Sequence, residues 1–97
     1  MKIRFLSAAN QDVRNILDYY LLKAGASVAT DFHEDLEEII ERIRRSPHSF
    51  PQIDDLRRRA LFKRFPYQVI YRVETEDSIL IIAVRHDKQH QDFGLDR

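Results

Sequence analysis

Phe65-Pro66-Tyr67-Gln68-Val69-Ile70-Tyr71 is the stretch on which the fold turns. Side chains of an extended strand alternate between its two faces, so Tyr67, Val69, Tyr71 and Val73 share one side, and Gln68, Ile70 and Arg72 the other. The first set is apolar with two hydroxyls and suits a core; the second is mixed and suits a different surface. Working outward, Arg58 to Lys63 and Ser78 to Arg85 are two further runs rich in β-branched, aromatic and aliphatic residues. Phe65-Pro66 and the polar turn Glu74-Thr75-Glu76-Asp77 separate the three, which predicts an antiparallel meander. Ile79-Leu80-Ile81-Ile82-Ala83-Val84 is apolar at every position, the pattern of a central strand covered on both sides.

Upstream the period changes from two to three and four. Val13, Ile16, Leu17, Tyr20, Leu21 and Ala24 make one apolar stripe on a helix read from Asn10 to Lys23, with Ser7 as a capping residue ahead of it and Gly25 as its stop. Val28, Phe32, Leu36, Ile39, Ile40 and Ile43 make the stripe of a second helix starting near Ser27. Arg42, Arg44 and Arg45 sit at the negative end of its dipole, and Pro47 prevents continuation. The short connection between them predicts an antiparallel helical hairpin. Lys2 to Leu6 alternates as a short strand, and it is expected beside the last strand, which needs a second neighbour. The order is β-α-α-β-β-β: an α+β fold, with the hairpin packed on one face of a small, mainly antiparallel sheet. At this length residues 1–97 are read as a single domain, able to bury roughly two thirds of its unfolded surface.

The chain carries 16 Lys and Arg against 16 Asp and Glu, with no cysteine. A disulfide framework and a thiolate metal site are therefore excluded. The N-terminal residues are too charged for a signal peptide or membrane span, so a cytoplasmic protein with no membrane association is expected. The zero balance hides an asymmetry. Asp31, Glu34, Asp35, Glu37, Glu38 and Glu41 fall on the second helix without an intervening Lys or Arg, while Arg57, Arg58, Arg59, Lys63, Arg64 and Arg72 fall together without a carboxylate. Either the acidic helix face neutralises the basic strands, or two surfaces of opposite sign exist.

No metal site and no cofactor are read from the sequence. His33, His48, His86 and His90 lack metal-ligand spacing apart from the His86/His90 step of four, which follows a strand and not a helix. Neither Ser46 nor Ser49 stands in a nucleophile-elbow context. What remains is the sheet face opposite the helices. There Gln68, Ile70 and Arg72 would join side chains from neighbouring strands, including some of Arg57, Arg59, Lys63 and Arg85, in an open basic surface for a partner. Lys and Arg on a strand also simply discourage edge-to-edge aggregation.

Leu56-Arg57-Arg58-Arg59-Ala60-Leu61, Phe65-Pro66-Tyr67-Gln68-Val69-Ile70-Tyr71 and Ile81-Ile82-Ala83-Val84-Arg85-His86-Asp87-Lys88, in this order, resemble the bacterial ParE/RelE toxins of type II toxin–antitoxin systems, also called plasmid-stabilisation proteins. The resemblance spans nearly the whole chain. It implies a toxin neutralised by a small acidic antitoxin that folds on binding. It also implies one of two activities: poisoning of DNA gyrase, as in ParE-like members, or ribosome-dependent mRNA cleavage, as in RelE-like ones. Were this chain a ribonuclease, Lys63, Arg64, Arg85 and His86 would be the catalytic candidates. Gln68 stands where RelE-like toxins carry an arginine, and Phe93 where several carry a tyrosine; Phe93 can be neither acid nor base. These departures favour the ParE-like, non-enzymatic branch. A toxin-like fold kept only as a binding module is a third reading.

Overall fold

The computed structural model describes residues 1–89 and 91–97. Its elements are β1 (Lys2–Phe5), α1 (Ser7–Lys23), α2 (Ala26–Arg45), β2 (Arg58–Leu61), β3 (Tyr67–Thr75) and β4 (Ser78–His86). They form one four-stranded sheet in the order β1-β4-β3-β2. β1 runs parallel to β4, and the other two pairings are antiparallel. The β-α-α-β-β-β order, the mainly antiparallel sheet and the position of the first strand beside the last are as the sequence predicts.

Several boundaries differ, each for a local reason. α1 begins at Ser7, not Asn10, and Leu6 occupies the cap position without a side-chain cap. The chain passes straight from β1 into the helix there: Leu6 N–H bonds the Ile81 carbonyl, and the Leu6 carbonyl accepts from Asn10. Leu21, counted in the apolar stripe, is 52% exposed, because the helix buries the face of Val13, Ile16, Leu17 and Tyr20. Gly25 does end the turn, at φ +96°, and the Ala24 and Gly25 amides both donate to the Tyr20 carbonyl. β2 stops at Leu61, short of Lys63, since the chain turns away to meet α2.

Between sheet and hairpin lies the main core, with Phe32, Leu36, Ile39 and Ile43 of α2 against Val69, Tyr71, Ile79, Ile81 and Val84. At one end of it Tyr20, Phe32, Phe62, Phe65 and Tyr67 form an aromatic cluster. Ring centroids are 5.2 Å apart for Phe32–Phe62, 5.3 Å for Tyr20–Phe65 and 5.4 Å for Phe32–Tyr67. Each such pair adds about 0.5–1.5 kcal/mol beyond its area burial. Asp35 is the polar member of this core. It is 1% exposed, and its Oδ2 accepts the Arg64 and Phe65 amides at 2.9 and 3.0 Å. A helical carboxylate thus closes the β2–β3 turn, whose amides have no ladder partner.

The register of β3 against β4 shifts between Ile70 and Tyr71, skipping Ile82. That bulge changes which residues share a face: Ile79, Ile81 and Val84 join the helix-side core, while Leu80, Ile82 and Ala83 join Ile70 in a second cluster on the opposite side. Among the described residues no helix is long and apolar enough to cross a membrane.

Two tests follow from this packing. Asp35→Ala leaves the partly buried Arg64 and Phe65 amides without their acceptor and should cost about 1–3 kcal/mol in urea unfolding, with Asp35→Asn costing less because one acceptor oxygen remains. Tyr71, whose hydroxyl donates to the Pro47 carbonyl at 2.6 Å, has its pKa pushed by burial from 10.0 up to about 12. The folded state holds that proton more tightly than the unfolded chain does. Its contribution is therefore complete below pH 10 and is lost as pH rises through 12, a decline that Tyr71→Phe should reduce in alkaline melting curves.

Candidate functional site

The sheet face opposite the helices exists, and Gln68, Ile70 and Arg85 lie on it, but it is not open. Ile70 is 0% exposed, Arg85 5% and Gln68 6%. The apolar patch of Ile70, Leu80, Ile82 and Ala83 is covered by Ile53 from the loop before β2 and by Leu95 from the segment after β4. This corrects the expectation of an exposed basic surface. A strand apolar on both faces requires a second cover, and residues 91–97 supply it.

Arg85 holds that cover down. Its Nη1 donates to the carbonyls of Gln91 and Phe93, and its Nε and Nη2 donate to Gln68 Oε1 at 3.3 and 3.2 Å. Burial, with the Arg59 guanidinium close by, holds its pKa below the ordinary arginine value. Gln68 fits this role because its amide has both polarities: the oxygen accepts from Arg85, and the nitrogen donates to Asp87 Oδ1 at 3.3 Å. An arginine at 68 would set two cations side by side. Arg57 adds a further tie, Nη1 to the Leu95 carbonyl at 2.8 Å.

The segment is closed from the α1 side by residues the sequence reading missed. Arg97 pairs bidentately with Asp12, at 2.6 and 2.9 Å, and donates to the Ile82 carbonyl at 3.0 Å. Asp12 Oδ2 also accepts the Val84 amide at 3.0 Å. β1 pairs with β4 only as far as Phe5–Ile81, and Asp12 serves the β4 backbone beyond that point. In sequence Asp12 looks like one more solvated helical carboxylate; its position one turn before Ile16 is the only hint. The Arg97 guanidinium also lies 5.2 Å from the Phe93 ring centroid. Gly94, at φ +80°, passes so near β4 that an added Cβ would come within 2.8 Å of Ala83 Cβ.

The remaining candidates are scattered. Lys63 and Arg64 lie in the β2–β3 turn facing α2, Lys63 at 3.9 Å from Glu38 and Arg64 donating to the Asp31 carbonyl at 3.2 Å. The acidic helix therefore neutralises only this corner of the basic run. Arg72 lies at the far end of the sheet, sharing Glu74 with Arg4 at 3.2 and 2.9 Å. Hydrogen bonds from Arg4 and then Arg72 hold the Glu74 carboxyl below its usual range. Arg59 is exposed on the edge strand β2. His86 packs against the Tyr67 ring at 5.1 Å, and its Nδ1 accepts the Lys88 amide at 3.0 Å. His90 lies outside the described residues. Lys63, Arg64, Arg85 and His86 lie toward one end of the sheet, where Tyr67 pairs with His86 and Gln68 with Arg85, but every guanidinium nitrogen of Arg85 is already engaged by other groups.

Residues 3–91 match the family model of the ParE toxin of type II toxin–antitoxin systems, parDE. A solved structure of the chromosomal ParDE toxin–antitoxin system from P. aeruginosa is similar, with a TM-score of 0.70 and 20% identity. That match covers 89% of this chain and 95% of the other, and it shows the fold. Among curated proteins none matches.

Gly94→Ala tests the cover directly. It combines a left-handed backbone with a steric clash and should lower stability by about 1–3 kcal/mol, with faster hydrogen exchange at Ile82 to Val84. Unchanged exchange would mean that the segment contributes nothing to the sheet.

Proposed function

The chain belongs to the ParE toxin family of type II toxin–antitoxin systems, and from that premise we propose that it arrests growth by acting on DNA gyrase and not by cutting RNA. The observation that carries this reading is the engagement of Arg85 and Gln68 in holding residues 91–97. Phosphodiester cleavage needs a cation to stabilise the developing charge and a group to move a proton. Arg85 is buried with its donors occupied, Gln68 is its acceptor, and Phe93 has no hydroxyl. An activity that consists of binding a large protein target asks for neither requirement.

Membership in a toxin–antitoxin family brings an antitoxin as partner. An acidic antitoxin, meeting the toxin in the cytoplasm, fits the basic residues that the acidic helix leaves unpaired. Association would be steered by charge and completed by apolar contacts.

The test is induction of the chain alone in cells, followed by purification. The expected result is growth arrest with a DNA-damage response, intact translating mRNAs, and loss of gyrase supercoiling at near-equimolar protein. His86→Ala should leave toxicity within about twofold of wild type, because a general acid or base would contribute 10²–10⁴-fold. Cut mRNAs and an inactive His86→Ala protein would establish the ribonuclease reading instead, and absence of growth arrest would leave a binding module.

A further inference from the structure

Nearly every arginine of the chain has a partner for its guanidinium. Arg4 and Arg72 have Glu74, Arg14 has Gln11, Arg44 has Glu41, Arg57 has Asp54 and Leu95, and Arg58 has the His48 and Phe50 carbonyls. Arg64 has the Asp31 carbonyl, Arg85 the contacts already described, and Arg97 has Asp12. Among the described residues Arg42, Arg45 and Arg59 have neither an ion pair nor a side-chain hydrogen bond. These three line one groove. Two adjoining hollows, of about 280 and 250 Å³, share Arg42 and Phe50. Arg45, Ser46 and Ser49 complete the first, and Pro51, Arg59 and Leu61 the second.

The groove follows the free edge of the sheet. Pro51 to Ile53 pair with the outer side of β2 only as far as Arg59, through Arg59 N–H to Pro51 at 3.0 Å and Ile53 N–H to Arg57 at 2.9 Å. The alternation of an antiparallel ladder turns the Leu61 backbone outward in the same sense as Arg59, past the end of that pairing. The Leu61 side chain is 53% exposed. Phe50 forms an apolar floor, with the Arg42 guanidinium 5.5 Å from its ring centroid.

We propose that this groove, formed by Arg42, Arg45 and Arg59 around Phe50, Pro51 and Leu61, is where an acidic, extended segment of the antitoxin docks. The segment would pair its backbone with β2 at Leu61, set an apolar side chain over Phe50 and Leu61, and place carboxylates on the three guanidiniums. Planar guanidiniums bind carboxylates in a two-pronged fashion, and an edge strand accepts any backbone, so charge and edge together select an acidic peptide. The inference rests on the toxin reading above, and it moves the partner surface from the covered sheet face to the β2 edge.

The experiment titrates the acidic protein encoded beside this chain against the wild type, R42E/R59E and the control R14E, with circular dichroism to establish that all three fold. The expected result is tight binding by wild type and R14E, a roughly 10- to 100-fold loss for R42E/R59E, and a shallower salt dependence in that variant. Leu61→Asp, which alters the floor and not the charge of the arginines, should also weaken binding. If wild type binds and R42E/R59E binds equally well, the groove is wrong while the toxin–antitoxin reading stands. Absence of wild-type binding overturns both. A short DNA duplex retarded by wild type and not by R42E/R59E, with antitoxin binding unchanged, would assign the groove to a nucleic-acid backbone and overturn the proposal.

Discussion

Strand β4 carries apolar side chains from Ile79 to Val84, so covering one side of the sheet leaves the other in water. The helical hairpin satisfies the first side with the large stripe of α2. The second side is satisfied by Leu95 and Ile53, small elements that would not stay in place by apolar contact alone. Polar ties fix them: Arg85 to the carbonyls of residues 91 and 93, Arg57 to Leu95, and Arg97 to Asp12. The need to cover β4 twice therefore accounts for most of the buried polar contacts in the protein, Asp35 excepted.

This constraint bears on function through Arg85. In isolation, a basic residue at the end of a strand beside a histidine suggests an anion site. Buried under the closing segment, the same residue orients carbonyls, and an anion would have to displace them. The fold of the ParE toxins is thus kept in a form whose most buried cation supports the structure. Among the described residues the arginines without an ion pair or a side-chain hydrogen bond lie elsewhere, Arg42 and Arg45 at the C-terminal end of α2 and Arg59 on the edge strand. The charge asymmetry of the sequence resolves into three parts: a corner neutralised by α2, a set taken up internally, and a remainder lining the β2 edge.

The fold was legible because its signals are periodic. The α2 stripe, the alternation of β3 and the continuous apolar run of β4 each specify a face, and together they leave one compact arrangement. Four features were not legible. The bulge at Ile82 has no local signature in a run where every residue is apolar, yet it decides that Ile82 and Ala83 share one side and that Val84 joins Ile79 and Ile81 on the other. The closing segment has little hydrophobic pattern, and its attachment depends on pairs as distant in sequence as Asp12 and Arg97. Strand alternation puts Gln68 and Ile70 on the side away from the helices, but it gives direction and not exposure, and both are buried there. Arg42 and Arg45 looked like helix-dipole complements; that they share a groove with Arg59 depends on where the loop places Phe50.

Arg85 is a structural clamp in the free toxin, and solution NMR of the arginine side chains at neutral pH reads this out. The expected spectrum has a sharp, slowly exchanging Arg85 Nε–H resonance with nuclear Overhauser contacts to Gln68 and to Gln91 through Phe93, set against rapid exchange for Arg45 on the surface. An Arg85 Nε–H that exchanges with solvent as fast as that of Arg45, without contacts to the closing segment, would contradict it.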